Sequence, residues 1–173
     1  MKYLALIVLM IILSGCSSSR FVSRDSVEIH RDDFSSEIEY LGITQQSKEL
    51  SSTDFGDDSF SFFLRSFKDI DTGEVNHQIY VDVYYMTSNW KFYQRASFEG
   101  GTNADFVMIG RNVVTCTHGL CVYNEVFGIQ IPNNALYDNI DGLSVKAYAQ
   151  SGHELIVKLS EEQIQAQLQA LEK

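Results

Sequence analysis

From about residue 59 onward, apolar and polar residues alternate with a period of two, which is typical of half-buried β-strands. The clearest example is a segment with four residues on one face: Ile79, Val81, Val83 and Tyr85. The alternation predicts strands over 60–67, 78–85, 91–98, 106–115, 121–131, 143–150 and 154–159. Short turns between these strands favour an all-β fold, an antiparallel β-sandwich or a barrel-like variant of it.

The remaining segments contain few alternating apolar residues. Residues 69–74 form a hairpin connection in which Gly73 is available for positive φ, and the polar stretch 45–58 is interpreted as a loop. One helical turn is predicted over residues 132–139. A C-terminal helix is predicted over 160–173, with a capping box and a stripe of three apolar residues that must pack on an edge or open end of the sandwich: Ile164, Leu168 and Leu171.

The N-terminus has a different pattern, in which Lys2 precedes an apolar run over 3–13 that ends in Leu13-Ser14-Gly15-Cys16. The run is about half the ~20 residues needed to cross a bilayer as a helix, so it indicates a cleaved signal peptide. The tetrapeptide resembles the processing motif of bacterial lipoproteins. That resemblance implies cleavage after residue 15, thioether lipidation of Cys16 and acylation of its new amine, for example with palmitate.

These features divide the chain into a signal peptide (1–15), a polar lipidated tether (16–31) and one β-rich domain (32–173). In such lipoproteins a serine at the position of Ser17 favours export to the outer membrane. The resemblance therefore implies a lipid-anchored protein on the periplasmic face of the outer membrane, with the bilayer as a partner through its acyl chains.

The chain is acidic, with 23 Asp and Glu against 13 Lys and Arg and a formal net charge of −10. Loss of Lys2 with the signal peptide would make the mature chain one unit more negative. Such a surface repels phosphate backbones and anionic headgroups, which excludes nucleic acid as a partner and electrostatic docking on membranes.

After lipidation of Cys16, two cysteines remain in an exported chain, and we expect Cys116 and Cys121 to form a disulfide. They face each other if 117–120 is a four-residue turn, which would also set Val114 opposite Tyr123. Free thiols are one alternative. A metal site with His118 is another, but the local sequence offers no fourth ligand.

No catalytic motif, metal site or cofactor site is predicted. The four histidines lie in or beside predicted turns and are expected to be solvated: His30, His77, His118 and His153. Acids around two loops superficially resemble calcium ligands, although hairpin turn and solvated loop are the simpler interpretations: Asp54, Asp57, Asp58, Asp69, Asp71 and Glu74.

An aromatic cluster is the remaining candidate site. Tyr80 and Tyr84 lie on the strand face opposite Ile79, and Trp90 and Arg95 follow closely. These residues form either an exposed recognition patch or ordinary packing, with the tyrosines beneath the C-terminal helix.

Together these features favour a non-catalytic binding or assembly module for an envelope protein or glycan. The mature domain resembles small β-sandwich lipoproteins of bacterial envelopes in architecture, which implies no functional residue. Two alternatives stay open. A hydrolase of envelope polymers would need two carboxylates, or a nucleophile beside a base, in one cleft. A small-ligand carrier would need an apolar cavity lined by four phenylalanines: Phe60, Phe62, Phe63 and Phe106.

Overall fold

The computed structural model describes residues 21–49 and 58–173, which fold into two antiparallel β-sheets and two short helices. The predicted signal peptide, Cys16 and Ser17 lie outside these residues. In chain order the elements are β1 (Glu28–Arg31), β2 (Glu37–Leu41), β3 (Gln45–Glu49), β4 (Asp58–Asp69), β5 (Val75–Thr87), β6 (Tyr93–Phe98), β7 (Asn103–Ala104), β8 (Phe106–Thr117), β9 (Leu120–Ile131), α1 (Asn133–Asp138), β10 (Gly142–Ala149), β11 (Glu154–Ser160) and α2 (Glu161–Leu171).

The larger sheet, sheet A, has seven strands in the order β1-β2-β4-β5-β9-β8, with β3 paired to the remaining half of β4. The interpretation of 45–58 as a loop is wrong for Gln45–Glu49, which pairs antiparallel with the start of β4. This strand is polar and has no apolar alternation. Backbone hydrogen bonds to β4 hold it in the sheet, and the sequence pattern does not report them. Residues 50–57 lie outside the described part of the chain.

The smaller sheet, sheet B, has the order β11-β10-β6-β7 and packs face to face with sheet A. Both sheets are open, so the fold is a β-sandwich and the barrel variant is excluded. The predicted alternation in β5 is confirmed, because Ile79, Val81 and Val83 are fully buried between the sheets and Tyr85 nearly so. Sheet B contributes Val145, Ala147 and other inward-facing residues to the same core: Leu143, Leu155, Val157 and Leu159.

Within the predicted tether over 16–31, the described residues 21–31 are mostly exposed, but they include a buried ring and strand β1. Phe21 is buried and meets the Tyr84 ring edge-on at 5.3 Å, and β1 pairs with β2. One ring and four backbone-paired residues hold this segment. Such contacts need only isolated apolar residues, which is all that the sequence shows here.

The β8–β9 hairpin closes with a disulfide between Cys116 and Cys121, as expected. Its turn has two residues and not four: His118 and Gly119 both have positive φ, the geometry of a tight hairpin turn. A register shift in β8 sets Val113 opposite Tyr123, in place of the expected Val114.

The C-terminal helix α2 has the predicted capping box between Ser160 and Gln163. Its apolar stripe packs across β2, β4 and β11, at the open side of the sandwich. Gln167 is fully buried and donates to the Tyr40 carbonyl and the Ser66 hydroxyl, which fixes the helix to sheet A. Among the described residues, neither helix has the length and apolar character required to cross a membrane.

Candidate functional site

Tyr80 and Tyr84 lie on the outer face of sheet A, where the N-terminal segment covers them. Tyr84 meets Phe21, whereas Tyr80 stacks on Phe63 at 4.9 Å and lies under the Arg65 guanidinium. Burial raises the pKa of Tyr80. The expected cover by the C-terminal helix is therefore wrong, because residues 21–24 take that place.

Trp90 and Arg95 lie elsewhere. Trp90 is in the β5–β6 loop and packs on Tyr123, with ring centroids 4.4 Å apart. Arg95 is exposed on the outer face of sheet B, 3.8 Å above the Tyr148 ring. The four predicted residues do not form one patch, because the β5–β6 loop passes from one sheet to the other and separates neighbours in sequence.

The most elaborate polar contacts surround Glu125, a fully buried carboxylate on the inner face of β9. It accepts hydrogen bonds from the Tyr85 hydroxyl (2.5 Å), the backbone amides of Phe92 (2.9 Å) and Tyr93 (3.1 Å), and Arg111 Nε (2.9 Å). Sequence reasoning missed this residue. The signal that could have revealed it is an acidic residue at a core-facing position of the alternation, between Tyr123 and Phe127.

A second buried ion pair lies beside the first. Lys91, in the β5–β6 loop, pairs with Asp58 at the start of β4, and its ammonium lies 4.9 Å from the Tyr85 ring centre. Burial and the hydrogen bond to Glu125 raise the pKa of Tyr85. Glu125 accepts from four protein donors and Asp58 binds Lys91, so both carboxylates are used to hold the β5–β6 loop against the sandwich.

His77 is buried on β5, so its expected place in a solvated turn is wrong. Its Nδ1 lies 2.7 Å from the Ser66 hydroxyl, which also accepts from Gln167. Burial lowers the pKa of His77 to about 4. A serine beside a histidine is the pair a hydrolase uses, but Ser66 is fully buried and serves as a structural link to α2.

The phenylalanines proposed to line a carrier cavity are packed against other residues. Phe60 and Phe62 are stacked on each other within the core, and Phe106 stacks on Phe127 at 4.9 Å. Phe63 faces outward beneath Arg24. These rings fill the space that a carrier would keep open.

An open groove of about 390 Å³ lies on the outer face of sheet B. Two lysines line it, Lys146 from β10 and Lys158 from β11, whereas Glu99 is its one acidic lining residue. Lys146 also pairs with Glu154 at 2.8 Å, and hydrogen bonding to that carboxylate raises the lysine pKa. This cation-lined surface, on a chain of net charge −10, is called the lysine groove below.

A second open groove, of about 520 Å³, lies on the other side of the β6–β7 turn (residues 99–102). Phe98 lines both grooves. Four of the ten residues that line the second groove, called the amide groove below, carry carboxamides: Asn76, Asn103, Gln130 and Asn133.

Sequence reasoning missed both grooves, because their lining residues come from strands that are distant in the chain. Within residues 21–49 and 58–173, no three His, Cys, Asp or Glu side chains are arranged to hold a metal ion. No protein-family model, curated protein or solved structure matches the chain.

Proposed function

We propose that this protein is a lipid-anchored, non-catalytic binding module of the bacterial outer membrane that binds a carboxylate-bearing envelope glycan. The observation that carries the proposal is the pair of grooves flanking the β6–β7 turn, one lined by lysines and the other by carboxamides. An envelope protein with acidic side chains is the competing partner.

The lysine groove supplies the charge. Lys146 and Lys158 line it with one acidic residue, Glu99, and Lys146 is also paired with Glu154, whereas in the whole chain acids outnumber cations by almost two to one. Lys158 is exposed on the outer face of β11. Lysine ammonium groups attract carboxylates, whereas the acidic remainder of the protein surface repels them.

The amide groove supplies hydroxyl recognition. Carboxamides donate and accept hydrogen bonds at the same time, as sugar hydroxyls do. Asn103 from β7 and Gln130 from β9 both line this groove, and Phe98 adds an apolar surface shared with the lysine groove. One glycan chain crossing the β6–β7 turn would therefore meet hydroxyl-binding and carboxylate-binding groups in succession.

Anchoring rests on the motif at Cys16. Replacing Cys16 with Ala should abolish lipid labelling and leave uncleaved precursor or soluble protein. Recovery of a mature but unlabelled form in membranes would contradict lipid attachment at this residue.

The binding test uses the mature lipoprotein in detergent micelles and co-sedimentation with purified cell-wall glycan. Replacing Lys146 and Lys158 with Gln should weaken binding about tenfold, because both charges proposed to contact the carboxylates are removed. The matched control replaces Arg31 and Lys173 with Gln, which removes the same charge from exposed positions outside both grooves.

A second arm uses glycan whose carboxyl groups have been converted to amides. The wild-type protein should bind it as weakly as the double-lysine variant binds the native glycan. Equal loss in the control variant, or undiminished binding of the amidated glycan, would contradict the proposal. Binding of an acidic envelope protein with no binding of glycan would identify the competing partner.

A further inference from the structure

The chain enters the domain along the outer face of sheet A. The Arg24 carbonyl accepts from the Thr44 amide, and Phe21, three residues earlier, meets Tyr84. Tyr84 lies three residues before the end of β5. Followed toward the N-terminus, the chain therefore points to the end of the sandwich where β5 ends and the β8–β9 hairpin projects.

That end carries an uncharged hairpin. Between Arg111 and Glu125 the sequence has no Asp, Glu, Lys or Arg, although the chain as a whole is strongly acidic. Two valines on this hairpin are exposed, Val113 at 52% and Val114 at 55%. The disulfide between Cys116 and Cys121 closes the hairpin just before its turn.

The reach of the chain from Phe21 to Cys16 matches the distance from Tyr84 to the hairpin turn. Five residue steps separate Cys16 from Phe21, and they span at most about 18 Å. In the register of sheet A, Thr87 pairs with Cys121, so the turn at Gly119 lies about five strand positions beyond Tyr84. At about 3.3 Å per position, that distance is about 17 Å.

Resting on the proposed lipid anchor at Cys16, we infer that the β8–β9 hairpin tip (residues 115–120) lies in the headgroup layer of the bilayer. The lipid on Cys16 fixes that residue at the interface, and the short segment before Phe21 cannot hold this end of the domain far from it. An uncharged tip enters the layer without the desolvation cost of a charge. Val113 and Val114 then meet the membrane surface beside it.

This orientation directs the grooves away from the membrane. Strand β6 begins at Tyr93, beside the β5–β6 loop at the hairpin end, and ends at Phe98, between the two grooves. The grooves therefore lie at the opposite end of the sandwich from the hairpin. A membrane-facing hairpin and a periplasm-facing ligand surface follow from one orientation.

The test measures the depth of the hairpin tip by tryptophan fluorescence. The full-length mature lipoprotein is reconstituted into phosphatidylcholine vesicles with and without brominated acyl chains. Thr117→Trp places a probe at the tip, and Ile109→Trp is the matched control, an exposed position on the same strand but toward its other end. Trp90 contributes the same background to both variants and to the wild type.

We expect brominated lipid to cause about a twofold loss of the emission added by Thr117→Trp, since interfacial segments lie within 5–10 Å of the acyl boundary. Emission added by Ile109→Trp should be unchanged. Equal quenching at both positions, quenching at Ile109→Trp alone, or none at either would overturn the orientation. Crosslinking of two copies through the tip with no quenching would assign the hairpin to a dimer instead.

Two further measurements separate this inference from the proposed anchor. The mass of the N-terminal peptide reports lipid on Cys16, and vesicle flotation reports attachment of the whole chain. If lipid is absent and the protein does not float, both proposals fail. If the protein is lipidated and floats but the tip is not quenched, only the orientation fails.

Discussion

The sharpest stability prediction concerns Glu125→Gln. Each carboxylate oxygen of Glu125 accepts two hydrogen bonds: Oε1 from Tyr85 and the Phe92 amide, Oε2 from the Tyr93 amide and Arg111. In Glu125→Gln, an NH₂ group takes the place of one carboxylate oxygen and cannot accept the two hydrogen bonds that this oxygen received. Arg111 also loses its counter-charge. An unsatisfied buried donor costs about 1–3 kcal/mol.

Two such losses, reduced because Arg111 is partly exposed, predict a decrease of about 3 kcal/mol in the free energy of unfolding. For a domain of this size, that decrease corresponds to a drop of roughly 6–12 °C in melting temperature. Chemical denaturation followed by circular dichroism measures the first quantity, and thermal denaturation the second.

The matched control is Glu154→Gln, the same substitution in the exposed ion pair with Lys146. We expect it to change the free energy of unfolding by less than about 0.5 kcal/mol. If Glu125→Gln costs less than about 1 kcal/mol, or no more than the control, the carboxylate does not hold the β5–β6 loop and the reasoning fails.

Three further stability predictions follow from other contacts. Gly128→Ala should destabilise by about 1–3 kcal/mol in denaturant titration, because its new Cβ would lie 2.2 Å from the Gln78 side chain; a neutral result would mean that Gln78 has room to move. His77 has a pKa of about 4 when folded and near 6.5 when unfolded, so the unfolded chain binds the proton first and stability falls as pH drops from 6.5 to 4. His77→Gln should remove about 2 kcal/mol of that acid-dependent loss after allowance for solvent screening, and an unchanged pH profile would contradict it. Replacing both Cys116 and Cys121 with Ser should lower stability by about 2 kcal/mol, the chain-entropy value for so short a loop, whereas a loss above about 4 kcal/mol would require another cause.

Strand alternation predicted the fold class because it reports directly on which face of a strand is buried. All seven predicted strands are present, and the terminal helix begins at the predicted capping box. Periodicity could not find β3 or β1. Those short strands are held by backbone hydrogen bonds to β4 and β2, and backbone pairing leaves no mark on side-chain order.

The candidate site was less predictable. Alternation placed Tyr80 and Tyr84 correctly on the face away from the core, but it could not show that Phe21 would cover that face. It also could not assign β5 and β6 to different sheets, which separates Trp90 from Arg95. The grooves bring Asn76, Asn103 and Gln130 together on one side of a turn and Lys146 and Lys158 on the other, a proximity that only tertiary structure creates.

The most direct test of the proposed glycan binding is a chemical-shift titration of the isotopically labelled mature protein with soluble cell-wall glycan fragments. The account predicts shifts concentrated at the paired grooves, at the amides of Ser97, Lys146 and Lys158 and at the side-chain amides of Asn103 and Gln130. It also predicts that amidation of the fragment carboxyls removes the shifts on the lysine side. No shifts, or shifts confined to the outer face of sheet A, would contradict it.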